Sequence, residues 1–230
     1  CVGVASATIV PPLESSTSGK TLYQTQTPYQ ELEITQDGDV RTLYVGDLQH
    51  SSMDVTRPNK HVYNYTKNFY IPFLMKENIS NVLFIGGGGF TGPKMFADNS
   101  NISVDVVELD PGVVSAAKRY FNVSESDNLT IHVKDGRRYL QSTDEKYDLI
   151  ILDAYKKNAV PFHLTTQEFM QLTHDKLNKN GIVLSNIISG KNGAKAKFYR
   201  SEYRTMDTVY SEMYSFPTSN DSGVQNIILI

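Results

Sequence analysis

The stretch Asn81-Val-Leu-Phe-Ile-Gly-Gly-Gly-Gly-Phe-Thr-Gly92 restricts this chain more than any other. Its apolar residues read as a buried strand, and the four glycines after them let the backbone turn tightly and approach a ligand without side-chain interference. A strand, a Gly-rich turn and a following helix present free N–H groups at the carboxyl end of a parallel sheet, where open α/β sheets bind ligands. A nucleotide-like molecule is expected there. Gly87, Gly89 and Gly92 satisfy the G-x-G-x-x-G pattern, so the residues after the loop have to choose between cofactors.

The rest of the chain reads as alternating elements around that turn. Residues 11–20 carry turn and breaker residues without periodicity and read as a linker or loose arm. Alternation over 29–35 and 40–45, broken by Asp37-Gly38 and Gly46-Asp47, predicts a small antiparallel sheet with hairpin turns. Residues 60–75 place Val62, Tyr65, Phe69 and Phe73 at helical spacings, which predicts an amphipathic helix that Pro72 kinks or ends. Strand and helix then alternate, with strands over 105–109, 129–133, 147–152 and 181–185 and helices after Asp110-Pro111, after Asp135-Gly136 and near Thr165. A helix over 198–214 and a last, antiparallel edge strand over 224–230 complete the pattern. The expected fold class is α/β, a doubly wound parallel sheet with a small N-terminal antiparallel β domain. The expected boundaries are 1–20 for the arm, 21–58 for the β domain and 59–230 for the catalytic domain.

Composition excludes several partners. A chain of 230 residues with 40% hydrophobic content buries a sizeable core. A net charge of −3 supplies no broad basic face, which argues against nucleic acid or an anionic membrane surface and for a small molecule. Cys1 is the single cysteine, so an internal disulfide or a Cys-based zinc site cannot form. No run approaches the roughly 18 to 20 apolar residues of a membrane span. A cytoplasmic protein is expected; the short apolar stretch 2–10 leaves membrane attachment through a segment preceding Cys1 as the alternative.

Right-handed crossovers put the carboxyl ends of the parallel strands on one rim, and four of them end in or beside Gly86, Glu108, Asp135 and Asp153. Glu108 lies about twenty residues past the glycines, where an acid accepts hydrogen bonds from both ribose hydroxyls. Asp135 is placed to meet an adenine amino group, and Asp153 stands where a transferable group would sit. A dinucleotide site has no general need for either. As purely structural residues, Asp135 would cap the helix after it and Asp153 would be a turn residue. His50, His61, His132, His163 and His174 show no metal-ligand spacing. Of these, only His163 is expected near the site.

Together, Tyr29-Gln30, Arg41-Thr-Leu-Tyr-Val-Gly-Asp-Leu-Gln49, Ile85-Gly-Gly-Gly88, Val107-Glu-Leu-Asp110, Lys134-Asp-Gly136 and Leu149-Ile-Ile-Leu-Asp153 resemble the spermidine synthase family of aminopropyltransferases. The resemblance implies a Rossmann-like S-adenosylmethionine-dependent transferase fold with a small N-terminal antiparallel β domain, decarboxylated S-adenosylmethionine as aminopropyl donor and a polyamine-type amine as acceptor, with no metal. It implies that Gln30, Gly86, Gly87, Gly88, Glu108, Asp135 and Gly136 hold the thioadenosine moiety and that Asp153 is the proton acceptor. Tyr63, Asn64, Gly89 and Tyr155 would face the substrates, and a homo-oligomer, a dimer first, is the expected assembly. Two positions depart from the family: Gly89 replaces an Asp of the loop, and Lys156 replaces a second acid after the fourth strand. Methyl transfer from intact S-adenosylmethionine is therefore the rival reading, and a nucleoside-binding relative without turnover is the third.

Overall fold

The computed structural model describes residues 19–58, 62–154, 160–221 and 223–230. The alternating N-terminal segment forms β1 (Lys20–Gln26), β2 (Glu31–Asp37), β3 (Val40–Val45) and β4 (Leu48–Asp54), paired in sequence order as an antiparallel sheet. Gly38 and Gly46 take the left-handed conformation at its hairpin turns, φ 55° and 56°. Because β1 starts at Lys20, the end of the expected arm belongs to the sheet; residues 1–18 lie outside the described residues.

The main sheet has seven strands. In chain order the elements are β5 (Asn81–Ile85), α1 (Thr91–Ala97), β6 (Ser103–Glu108), α2 (Pro111–Tyr120), β7 (Leu129–Val133), α3 (Gly136–Ser142) and β8 (Tyr147–Leu152). They continue with α4 (Gln167–Asp175), β9 (Leu177–Gly190), α5 (Lys197–Asp207), β10 (Ser215–Pro217) and β11 (Val224–Leu229). The strand order is β10-β11-β9-β8-β5-β6-β7, with β5 to β9 mutually parallel and β11 and β10 antiparallel at one side. The order reverses between β5 and β8, so the turns after these two strands flank the crevice where such sheets bind ligands.

Both faces of the sheet are covered, which is why its central strands are apolar throughout. Val82 and Phe84 point to one side, into a core shared with Leu32, Ile34, Leu43, Val45 and Met53 of the small sheet and with Val113 and Ala117 of α2. Leu83 and Ile85 point to the other, where Leu140 of α3, Phe169 of α4 and Met206 of α5 close over them. The small sheet is thus pressed against the face on which the turn after β5 opens. Arg41 adds a polar tie from β3 to the end of α2, donating to the Tyr120 carbonyl at 2.7 Å.

Two expected helices differ. Residues 64–74 wind as a 3₁₀ helix, Asn64–Leu74, rather than an α-helix. Pro72 cannot donate the α-type bond, and ring packing fixes the segment: Tyr70 stacks on Phe96 at 4.8 Å and Phe69 meets Phe84 edge-on at 6.1 Å. The C-terminal helix stops at Asp207 instead of running to Tyr214, because the chain is drawn into the sheet. Tyr210 pairs its hydroxyl with that of Thr173 at 2.6 Å, and Tyr214 and Ile230 exchange backbone hydrogen bonds that extend β10. No helix among the described residues is long and apolar enough to cross a membrane.

Asp148, near the start of β8, fastens the far end of the sheet. It accepts from Lys76 Nζ, the Ser80 hydroxyl, the Ser80 and Asn81 N–H groups and Asn178 Nδ2, all at 3.0–3.1 Å. Burial pushes its pKa up, but these donors outweigh burial and hold it well below the ordinary aspartate range. A depressed folded-state pKa adds stability that is present above the unfolded value and is lost as pH falls through the folded one. Asp148→Asn is expected to cost about 2 kcal/mol at pH 7, and urea unfolding at neutral pH and near pH 3 should show the gap from wild type narrowing in acid.

Candidate active site

The turn after β5 is built so tightly that glycine is required by the protein itself. Gly86 has φ 101°, and a Cβ there would stand 2.3 Å from the Asp153 carbonyl oxygen. At Gly87 a Cβ would meet the Phe90 ring at 2.5 Å, and at Gly89 it would meet Ser51 Cβ at 2.7 Å. The N–H groups expected to be free are mostly engaged. Gly86 donates to the Val107 carbonyl, Gly87 to Glu108 Oε2 at 2.8 Å and Gly89 to Ser51 Oγ at 2.8 Å. The loop is consequently a rigid wall rather than an open anion cradle.

Glu108 ends β6 and is held from two sides: Oε2 accepts from Gly87 and Oε1 from the Asp110 N–H at 2.9 Å. Asp110, almost wholly buried, caps α2 through the Gly112 N–H at 2.8 Å. Its other oxygen takes Thr27 Oγ1 at 2.6 Å and Gln30 Nε2 at 3.3 Å, which fixes the β1–β2 turn against the main sheet. Gln30 therefore reaches the site through an interdomain hydrogen bond.

Asp135 has two tasks at once. Oδ1 caps α3 by accepting the Arg138 N–H at 3.0 Å, and Oδ2 meets His163 Nε2 at 2.9 Å. Burial works to raise its pKa, but the Arg138 N–H and His163 outweigh it and keep the carboxyl below the ordinary value. Arg137 in turn donates to the His163 carbonyl at 3.0 Å, locking the segment after β8 to α3.

Asp153 follows β8 on the opposite side of the turn. Leu152 pairs in register with Ser185, so the next residues, Asp153 and Asn186, are neighbours and Asn186 Nδ2 donates to Asp153 Oδ1 at 2.8 Å. Burial raises the Asp153 pKa above the ordinary aspartate value, with Asn186 and the nearby His50 opposing it only in part. Such a carboxyl is a better proton acceptor than an exposed one.

These residues enclose two adjoining spaces. A cleft is lined by Gln30, Gly86, Gly88, Glu108, Asp135, Gly136 and Asp153, which brings most of the expected donor-binding residues together. A smaller cavity is lined by Tyr63, Tyr65, Phe69 and Gly87. Gly86 and Asp153 border both. The Tyr63 hydroxyl shares a hydrogen bond with Ser52 Oγ at 2.7 Å, and its pKa is pushed up to about 12 by burial, so it stays protonated. Tyr63 and Tyr65 stack at 6.0 Å, and Tyr65 is close enough to feel the Asp153 charge.

Gly89 lines neither space. The Asn64 side chain, Tyr155 and Lys156 lie outside the described residues. His163 is joined by a second histidine that the sequence placed elsewhere: His50 lines the larger cleft. His50 carries no motif signal, and only the β3–β4 pairing brings it to the rim. Asn186 was findable, since it follows the expected 181–185 strand on the same rim.

Residues 68–217 match the family described as the spermine/spermidine synthase domain. The chain belongs to the spermine/spermidine synthase family. Among curated relatives, it is 29% identical over 216 residues to the polyamine aminopropyltransferase of Vibrio vulnificus (strain CMCP6), with 90% of this chain and 71% of that protein covered. It is also 29% identical over 203 residues to the polyamine aminopropyltransferase of Thermococcus onnurineus (strain NA1), covering 85% and 70%. Its fold resembles that of a spermidine synthase solved in complex with the transition-state analogue AdoDATO, with a TM-score of 0.77, 19% identity, and coverage of 91% of this chain and 73% of that one. The family's fold accounts for the small N-terminal sheet as well as the Rossmann-like sheet.

Gly86→Ala places a methyl group against main chain that cannot yield without moving Asp153. A loss of at least about 2 kcal/mol is expected, read by thermal and urea unfolding beside the milder Gly38→Ala, whose Cβ would meet nothing within 4 Å.

Proposed function

We propose that this chain moves the aminopropyl group of decarboxylated S-adenosylmethionine to an amine acceptor in polyamine biosynthesis. The observation that carries this reading is the position of Asp153 and Gly86 on the border of both cavities, where two substrates would meet. The larger cleft suits the thioadenosine part. Each Glu108 oxygen already accepts one backbone N–H, keeps a further lone pair for a ribose hydroxyl, and cannot swing away. Asp135 and Gly136, with Gln30 opposite, close the purine side. The smaller cavity, walled by Tyr63 and Tyr65 with the Asp153 carboxyl at its end, suits an alkyl ammonium.

The chemistry asks little beyond placement. The sulfonium makes the adjacent CH₂ electrophilic, so a neutral amine aligned with the C–S bond displaces the thioether directly. The acceptor's ammonium first passes a proton to Asp153. The amine lone pair then forms the new C–N bond as the C–S electron pair returns to sulfur, leaving neutral methylthioadenosine. A carboxyl with a raised pKa takes that proton more readily, and Tyr63, which stays protonated, is no competing base. Methyl transfer from intact S-adenosylmethionine would call on the loop N–H groups to hold the methionine carboxylate, yet Gly86, Gly87 and Gly89 already donate to protein acceptors.

Asp153→Asn is expected to lower aminopropyl transfer by about 10²- to 10⁴-fold while methylthioadenosine still binds, measured by product formation and calorimetry. A second test concerns pH. Because Asp153 must be ionised to accept a proton, the rate falls as pH drops through its raised pKa. Asn186→Leu removes a donor that favours the ionised form, so the acid limb of kcat/KM should move to higher pH. An unmoved limb would mean that another group titrates.

A further inference from the structure

The larger cleft carries a pair of side chains whose bond neither helix capping nor chain packing requires. Asp135 needs only Oδ1 to cap α3, through the Arg138 N–H at 3.0 Å. His163 lies in a 3₁₀ turn, Phe162–Leu164, that is held without its ring. The Leu164 N–H donates to the Pro161 carbonyl at 2.8 Å, and Leu164 shares a buried cluster with Phe169 of α4. Arg137 adds bonds to the His163 carbonyl at 3.0 Å and to Thr166 Oγ1 at 3.3 Å. The imidazole nevertheless reaches back to Asp135, with Nε2 at 2.9 Å from Oδ2.

A ligand in the cleft can touch this pair. Asp135 and His163 both line it, and their side chains keep 24% and 34% of their surface exposed. The place of the proton follows from the partner. Asp135 is held below the ordinary aspartate value, so at neutral pH it is a carboxylate that accepts, and Nε2 carries the hydrogen and donates. Each Asp135 oxygen then accepts one bond and keeps a lone pair, with the carboxylate fixed from both sides. Such a group is an acceptor that costs little ordering on binding. Adenine offers acceptors at its ring nitrogens and one donor group, the exocyclic amine.

Resting on the reading of this cleft as the thioadenosine site, we infer that His163 is a positioning residue for purine recognition: its Nε2–H fixes the Asp135 carboxylate as the acceptor for the exocyclic amine of the donor's adenine. His163 acts through Asp135 and takes no part in the proton transfer at Asp153. Without the imidazole, Oδ1 would still cap α3, but Oδ2 would be held from no side.

The test is calorimetry on the whole chain with methylthioadenosine and its 6-unsubstituted purine analogue, which lacks only the exocyclic amine. The wild-type chain should prefer methylthioadenosine by about tenfold or more. In His163→Leu that ratio should fall to about threefold or less, while the analogue binds as in wild type, which also reports an intact cleft. His163→Gln, whose amide Nε2 donates as the imidazole does, should restore most of the ratio. A wild-type chain indifferent to the amine, an unchanged ratio or an equal loss for both ligands in His163→Leu, or a collapse that His163→Gln leaves in place would overturn the assignment. Aminopropyl transfer to a diamine is scored separately. Purine discrimination that depends on His163 without any transfer would sink the functional reading alone, whereas transfer with an unaltered ratio in His163→Leu would sink only the role of His163.

Discussion

The structure depends on how closely the turn after β5 passes the end of β8. With Gly86 at φ 101° and its missing Cβ only 2.3 Å from the Asp153 carbonyl, two parallel strands end in contact at the point where the sheet reverses its strand order. That contact puts the loop and Asp153 at one border, and the two cavities form on either side of it. A side chain at Gly86 would pry them apart. The glycines were read from the sequence as leaving room for a ligand; in the folded chain their first reason is protein packed against protein.

Three carboxylates on the same rim differ because their neighbours differ. Glu108 is immobilised by backbone N–H groups and becomes part of the wall. Asp135 is balanced by His163 and a helix N-terminus, which hold its pKa down. Asp153 has mainly burial and a neutral amide, which leave its pKa raised. Neighbouring acids on one sheet edge are thereby divided between holding a ligand and exchanging a proton. The second-layer residues Asp110, Asn186 and His163 make that division, and each comes from a different element.

The small antiparallel sheet shares in this. It buries its inner face in the same apolar cluster as α2, and Thr27 and Gln30 reach Asp110 across the seam. β4 contributes Ser51 and His50 to the glycine turn, one satisfying the Gly89 N–H and the other packing its buried, unpaired Nδ1 against Gly88. The site is finished by a sheet that could be mistaken for an appendage.

The parallel strands were legible because their signal is local. An apolar run such as Tyr147–Leu152, bounded by turn residues, must be a buried strand wherever it lies, and strand order then puts Gly86, Glu108, Asp135 and Asp153 on one edge. The winding of Asn64–Leu74 and the early end of α5 were not legible, since ring packing and sheet pairing override a periodicity that suits several helical forms. Nor were His50 or the His163–Asp135 pair. Their meaning comes from cross-strand register and from contacts far apart in the chain. Chain chemistry alone thus determined which strands exist and which acids share a rim, because strand burial and handed crossovers are rules of local sterics. Which acid is buried, which is paired and which nitrogen is left without a partner was decided only by the packed structure, because pKa and hydrogen-bond satisfaction are properties of neighbours that a sequence does not place.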